Sequence, residues 1–417
     1  MPTGIDRAEH AYIRHLLKNN PDRTTFVLRG PLNTVVAVPH NLVRDMLATL
    51  DTRRLGEPGW EEATIPAAWL AFTAFARLSL LRGTRTLAKV LRSSRDTVYL
   101  LVSHTGADRP GAIANLKRKG VKFVPLVHDL IPISLPEYAS VKGALRHRRR
   151  VDAFANLADG IIVISNATAQ ELIPYLRQGA DMPPILSAPL GIDTPLPDAN
   201  YAAPSQPYFV YIGTIEPRKN HLLLLNIWRA LVQRLGAKAP KLVLVGRRGW
   251  ENENILDMLE RCPALNGSVF EYNGLPDNAV AKLLTGARAL LFPSFAEGYG
   301  LPLAEALGLG VPAICSDLPA LRQVGGEVPE YLDPLDGAGW QRLILDFAEE
   351  NSLLREAQLN RIKAWSPPSW EHHFSLVDPW LQQVVRAPAT VAGMRIANVA
   401  VGRTAHVAVS AQLTPRP

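Results

Sequence analysis

The 417 residues are 47% apolar and 20% charged, the proportions of an ordinary globular chain, and the length suffices for two cores. Two cysteines, Cys262 and Cys315, rule out a disulfide framework and show no metal-binding spacing. The formal net charge is +7, and residues 1–200 carry all of it, with 25 Lys and Arg against 18 Asp and Glu. No apolar run reaches the roughly 18 residues of a spanning helix. With no secretory signal read at the start, the chain is expected in the cytoplasm.

In chain order, Pro2-Thr3-Gly4-Ile5-Asp6-Arg7-Ala8-Glu9 opens a helical pattern that runs through Leu17. Strand-like runs follow at Thr25–Leu28, Val35–Val38, Val98–Val102, Phe123–Val127 and Gly160–Ile164. Between them lies an apolar stretch, Ile65–Leu81, with Trp69, Phe72 and Phe75. Cations then concentrate from Arg77 to Arg150, ending in Arg146-His147-Arg148-Arg149-Arg150. An apolar helix beside basic residues suits an anionic membrane surface and a lipid-linked substrate. A core helix followed by a solvated basic face fits the same residues. Nucleic acid is not expected, because neither a recognition motif nor interleaved aromatics accompany the charge.

Thr194–Pro207, rich in Pro, Ala and Asp, reads as a linker. The second half repeats the alternation of strands and helical patterns, with strands expected at Tyr208–Ile212, Lys241–Val245, Ser268–Tyr272, Ala289–Phe292 and Pro312–Cys315. Such alternation predicts an α/β fold of doubly wound parallel sheets. Trp365–Val385 is helical in pattern. The tail from Ala387 to Pro417 has no motif and is expected to be poorly ordered.

Three segments carry chemistry. Phe292–Asp317 reads FPSFAEGYGLPLAEALGLGVPAICSD and sets Glu297 and Glu305 eight residues apart around a Gly-Tyr-Gly turn. A buried strand, a loop opened by Gly298 and Gly300, and a helix with Pro302 near its first position offer backbone N–H groups to an anion. Two acids beside an anion site suit hydroxyls, and a sugar nucleotide supplies both diphosphate and hydroxyls. Taken singly, each acid is more simply read as a solvated loop residue. Tyr208–Leu225, YFVYIGTIEPRKNHLLLL, runs from a strand through Gly213 to Arg218 and Lys219 at the opening of a Leu-rich helix. Both cations suit phosphate oxygens, and a solvated basic cap is the plainer alternative. Val121–Ser140 leads a strand into His128-Asp129, which places the imidazole where open α/β sheets bind ligands.

These strings resemble the E-x7-E, PRKN and HDLIP motifs of the family 4 retaining glycosyltransferases of the GT-B fold, the glycosyl transferases group 1, in their mannosyltransferase-like members. The resemblance implies two Rossmann-like domains facing across a cleft. It divides the chain into residues 1–195 on the acceptor side, 205–364 for the nucleotide sugar, crossover helices at 365–386 packing back on the first domain, and a tail at 387–417. It implies that Glu297 holds donor-sugar hydroxyls and Glu305 the ribose. Gly213, Arg218, Lys219 and the amides near Tyr299, Gly300 and Leu301 would face the diphosphate. His128 would touch the donor sugar and the reacting centre, and Gly4 would sit in the loop that shapes the acceptor side. Ser165-Asn166 resembles a family helix start, and Pro189-Leu190-Gly191-Ile192-Asp193 the turn before the linker. Thr214 departs from the pattern, since many members carry an Arg there. A hydrophobic strand precedes the glycine loop in relatives, so the first strand of the N-terminal sheet is read as missing, with a start site expected further upstream.

The expected activity is transfer of a hexose, mannose favoured, from a nucleotide sugar to a hydroxyl of a growing cell-surface or exopolysaccharide glycan, with GDP-mannose as donor. No Asp-x-Asp occurs, so no metal or other cofactor is expected. The departing diphosphate would rest on Arg218, Lys219 and helix amides, and in the front-face route proposed for retaining enzymes it accepts the acceptor's proton. Another GT-B chemistry, such as a sugar-nucleotide epimerase, and a non-catalytic sugar-nucleotide-binding protein remain open. A Rossmann dehydrogenase is disfavoured, because no G-x-G-x-x-G follows a strand with an acid about 20 residues on.

Overall fold

A computed structural model describes residues 3–29, 33–52, 83–94, 96–177, 179, 182–387 and 406–410. The apolar stretch Ile65–Leu81 lies outside them, as does most of the tail. The chain divides into two compact units. One holds residues 190–369 with Leu135–Ser140, and the other holds Pro2–Ser134, Val141–Pro189 and the stretch from Trp370 onward.

The unit that begins at Leu190 is built on six strands: β7 (Tyr208–Ile212), β8 (Lys241–Val245), β9 (Val269–Tyr272), β10 (Leu290–Phe292), β11 (Ala313–Ser316) and β12 (Glu330–Leu332). They lie in the order β12-β11-β10-β7-β8-β9, and every pairing is parallel. β7 is buried at all five positions, as are the three of β10, so both read as continuous apolar runs rather than alternating ones. Strand order reverses between β7 and β10, and such a switch point leaves a crevice beyond the carboxyl ends of the strands. The helices α8 (His221–Leu235) and α11 (Leu301–Gly308) follow those two strands.

The other unit has seven strands in the order β2-β1-β13-β3-β4-β5-β6. These are β1 (Thr24–Arg29), β2 (Val35–Val38), β3 (Thr97–Leu101), β4 (Lys122–Val127), β5 (Ile161–Val163), β6 (Ile185–Ser187) and β13 (His406–Ser410). All pairings are parallel except β1 with β2, a departure from the fully parallel expectation. Tyr99, Phe123, Val127, Phe154 and Ile161 fill the core. The helix α6 (Val141–Leu157) buries His147, Val151, Phe154 and Ala155, the i, i+4, i+7 and i+8 stripe of an amphipathic helix. The helix α1 (Gly4–Asn19) is capped by Thr3, whose Oγ1 accepts from the Asp6 N–H while Asp6 accepts from the Thr3 N–H. It packs against α15 (Trp370–Arg386) through a hydrogen bond of 2.8 Å between the Tyr12 hydroxyl and His373 Nε2. His373 Nδ1–H donates to the Pro189 carbonyl, and burial pushes this imidazole down to about 4.

One expectation is corrected here: part of the tail read as poorly ordered forms β13, which stands between β1 and β3, the sheet position for which no strand was read. Val407 pairs with Thr24 on one side and Val98 on the other, and Ala408 with Thr25 and Tyr99. The run His406-Val407-Ala408-Val409 has the composition of a strand, but its partners lie some hundreds of residues away, so no local pattern announces the pairing. A proline in a doubly paired strand removes a ladder donor. Ala408→Pro is therefore expected to lower the melting temperature by roughly 10 °C, followed by circular dichroism; an unchanged transition would show that β13 contributes nothing to the sheet.

Candidate active site

Lys219 and Glu297 lie 78 residues apart, and the switch point brings them together. Lys219 follows β7 in a short helical turn, Pro217–Lys219, and Asn220, at φ 56°, turns the chain into α8. Glu297 lies in the loop that follows β10. Lys219 Nζ donates to Glu297 Oε1 at 2.5 Å and lies 5.1 Å from the centroid of the Phe292 ring. Arg218 bridges the same loops: Nη2 reaches Glu216 Oε1 at 2.6 Å, Nη1 donates to the Ala296 carbonyl at 2.5 Å, and Nη1 lies 3.4 Å from Glu297 Oε2. The Phe295 N–H returns a bond to the Arg218 carbonyl at 2.9 Å. Arg218 is thus a clamp between two loops, whereas Lys219, a flexible stem with three donors, is the better placed to meet a ligand anion.

Burial opposes charge on both Glu297 and Lys219. It pushes the Glu297 carboxyl up, but Lys219 and Arg218 beside it, with the Ser294 hydroxyl, outweigh that effect and hold it below the usual carboxylate range. Burial likewise lowers the Lys219 ammonium, and Glu297 only partly restores it. His221 is pushed down to about 3 by burial and by the neighbouring Lys219, which favours the neutral imidazole. Its ring lies 4.3 Å from that of Tyr211, whose hydroxyl burial drives far above its ordinary range. Two cations and two acids, Glu216 and Glu297, therefore form an internally neutral group.

The backbone positions these side chains. The Gly213 N–H bonds to the Val245 carbonyl, the Ile215 N–H to Arg247 and the Gly249 N–H to Ile215, so the loops beyond β7 and β8 run together. A Cβ on Gly246 would lie 1.9 Å from the Gly213 carbonyl oxygen, a contact only glycine permits. At the head of α11, Gly300 has φ 104°, and a Cβ there would meet Leu321 Cδ2 at 2.4 Å. Leu303 and Ala304 donate to the Gly300 carbonyl, and Pro302 has no N–H, which leaves the Leu301 amide as the donor of the first turn. Tyr299 is buried and its hydroxyl donates to the Leu190 carbonyl at 2.7 Å, so its side chain is tied into the unit rather than offered to a ligand. Glu305 lies one turn into α11, half-buried.

His128 and Gly4 belong to the other unit. His128 follows β4 and is buried; its Nε2 bonds the Val102 carbonyl at 2.7 Å. A carbonyl only accepts, so Nε2 carries the proton and is already in use. The His128 backbone N–H donates to His104 Nε2 at 3.1 Å, which fixes that nitrogen as unprotonated. The rings of His128 and His147 each lie 5.1 Å from that of His104. His147 Nε2–H donates to the Asp129 carbonyl, and burial lowers its pKa. Asp129 Oδ1 accepts from the Ile131 N–H, a turn role, and Ser165 caps α7 (Asn166–Leu172) through the Thr168 N–H. Gly4 is the first residue of α1.

Arg218, Lys219 and Glu297 are thus one cluster, with Gly213 just before it and Gly300 and Leu301 at the head of the next helix. Glu216 and His104 were missed. Glu216 lies inside the same TIEPRKN string, and an acid two residues before a clamp arginine was the signal. His104 follows a strand as His128 does, and the rule that selects one selects both. Among the described residues no group of three His, Cys, Asp or Glu is placed to hold a metal ion, and no helix is long and apolar enough to cross a membrane.

Residues 196–327 match the family described as Glycosyl transferases group 1. The chain is 32% identical over 298 residues to the O-antigen chain mannosyltransferase B of Escherichia coli, an alignment covering 69% of this chain and 74% of that protein. It is also 26% identical over 383 residues to the serotype-specific mannosyltransferase WbdA of Escherichia coli, which covers 85% of this chain but 44% of WbdA. The chain therefore spans about half the length of that relative. Among solved structures, a TarM variant of S. aureus in complex with Fondaparinux, alpha-GlcNAc-glycerol and UDP superposes with a TM-score of 0.55 at 17% identity, covering 73% of this chain and 58% of TarM. The fold is that of the GT-B proteins. The chain belongs to the glycosyl transferases group 1 family.

Removing a buried partner strands the other charge. Arg218→Ala leaves Glu216, 2% exposed, without its cation and should cost about 3 kcal/mol in urea unfolding. Arg322→Ala, whose partner Asp317 is exposed, should cost about 1 kcal/mol or less. Because the folded pKa of Glu297 is lowered, its stabilising share is present above the ordinary carboxylate range and is lost as pH falls through the lowered value. The gap in urea midpoint between wild type and Glu297→Gln should accordingly narrow on acidification.

Proposed function

We propose that the protein transfers a hexose from a nucleotide-sugar donor to a hydroxyl of a growing cell-surface glycan, with mannose as the sugar and GDP-mannose as the donor. The observation that carries this reading is the buried Lys219–Glu297 pair at the switch point, beside the head of α11. The two mannosyltransferase relatives support the choice of sugar, and the UDP in the TarM complex is that protein's own ligand.

On binding, Lys219 exchanges its contact with Glu297 for a diphosphate oxygen, and the Leu301 amide adds a second donor. Glu297 is then released to accept from sugar hydroxyls, and Arg218 Nη1, 3.4 Å from its Oε2, still favours the carboxylate. As the glycosidic phosphate bond breaks, negative charge grows on the leaving diphosphate, where Lys219 stabilises it. In a retaining, front-face course the leaving phosphate oxygen takes the acceptor's proton, so no additional carboxylate base is needed. Glu305 meets the ribose. No metal takes part in this scheme. The acceptor is a lipid-linked glycan, and the protein works in the cytoplasm with peripheral contact to the membrane.

Thermal shifts with GDP-mannose, UDP-glucose, UDP-N-acetylglucosamine and dTDP-rhamnose test the donor. GDP-mannose should stabilise the wild type and leave Lys219→Ala unmoved; stabilisation by another nucleotide sugar alone would replace the donor. Lys219→Ala or Glu297→Ala should cut transfer by roughly 100-fold or more, and near-normal rates would sink the assignment. Binding without turnover would favour a non-catalytic sugar-nucleotide-binding protein.

A further inference from the structure

The helix α6 has a second face that the fold does not use. Lys142, Arg146 and Arg149 recur at i, i+4 and i+7, all exposed. With Leu145, Asp108 and Arg109 they line a cavity of about 320 Å³. Val141 and Leu145, one turn apart on the same helix, are 78% and 59% exposed. Among the described residues no acid lies within ion-pair reach of Lys142, Arg146 or Arg149; Asp108 is 4.0 Å from Arg109. Arg148 on the flank differs, being held by Asp152 and lying 5.0 Å from the Tyr175 ring centroid. Four cations with the single acid Asp108 among them repel one another and raise the local concentration of anions. Aliphatic side chains among them have no use for a fully hydrated anion.

We infer that this face of α6 docks on an anionic phospholipid surface. Lys142, Arg146 and Arg149 meet lipid phosphates, Arg109 lies at the rim, and Val141 and Leu145 enter between the headgroups. A soluble phosphate would engage the cations and leave the two aliphatic residues in water. A nucleic acid would call for stacking aromatics, and neither the cavity lining nor the exposed helix face carries one. The inference gives the membrane contact of the proposed function a place on the fold, and it does not depend on the donor site.

The full chain should co-sediment with phosphatidylcholine vesicles containing phosphatidylglycerol, and not with pure phosphatidylcholine vesicles. Binding should fall as salt rises. Arg146→Glu with Arg149→Glu should weaken partitioning by about tenfold or more, at roughly 1 kcal/mol for each basic residue near the surface. Leu145→Asp should weaken it as well, with the salt dependence kept. These positions are exposed, so melting temperatures should match wild type, and Leu145→Asp retains the test if the double variant does not fold. Equal binding by the variants and wild type, or equal binding to neutral vesicles, would overturn the inference. So would release by inorganic diphosphate with no effect of Leu145→Asp, which assigns the cavity to a soluble phosphate. Loss of RNA binding in the double variant without loss of vesicle binding would likewise assign the face to nucleic acid. Donor-induced thermal shifts in the double variant report separately on the proposed transferase site, and their absence in wild type counts against that site alone.

Discussion

The site depends on four largely buried charges cancelling one another. Glu216, Arg218, Lys219 and Glu297 meet where β7 and β10 lie side by side, and any one of them left alone there would be expensive to ionise. Together they hold two loops in register: Arg218 ties its own loop to Glu216 and to the Ala296 carbonyl, and Lys219 ties it to Glu297. In the proposed reaction a diphosphate draws Lys219 away and leaves Arg218 beside Glu297, which would make binding of phosphate and binding of sugar linked events.

The histidine-bearing unit is organised differently. Near the strand ends the backbone sets the histidine protons: the His128 N–H donates to His104 Nε2, and the Val102 and Asp129 carbonyls accept from His128 and His147. Its sheet is completed by β13, whose partners β1 and β3 come from the first quarter of the chain. Until that strand is made, β1 and β3 each present an edge with nothing to pair, and contacts of such long sequence separation form slowly.

Much of this was legible from the sequence because buried parallel strands announce themselves as apolar runs. Tyr208–Ile212 and Lys241–Val245 were read with the limits the structure gives them. The acids and cations of the site were legible through the strings around Glu297 and Arg218–Lys219. Their pairing was not, since it depends on strand order, which a local pattern does not encode. β6 and β12 escaped because each is three half-buried residues. Tyr299 was read for its amide, and only the structure shows that its hydroxyl is bound to Leu190.

The loops beyond β7 and β8 are joined by main-chain bonds, at Gly213 to Val245, Ile215 to Arg247 and Gly249 to Ile215, and by the close approach of Gly246 to Gly213. Nothing in that ladder requires a particular side chain at Arg247, Arg248 or Trp250. Substitutions at Arg247 or Trp250 therefore leave the frame under Lys219 in place, whereas one at Arg248 also removes its ion pairs with Glu260 and Glu271.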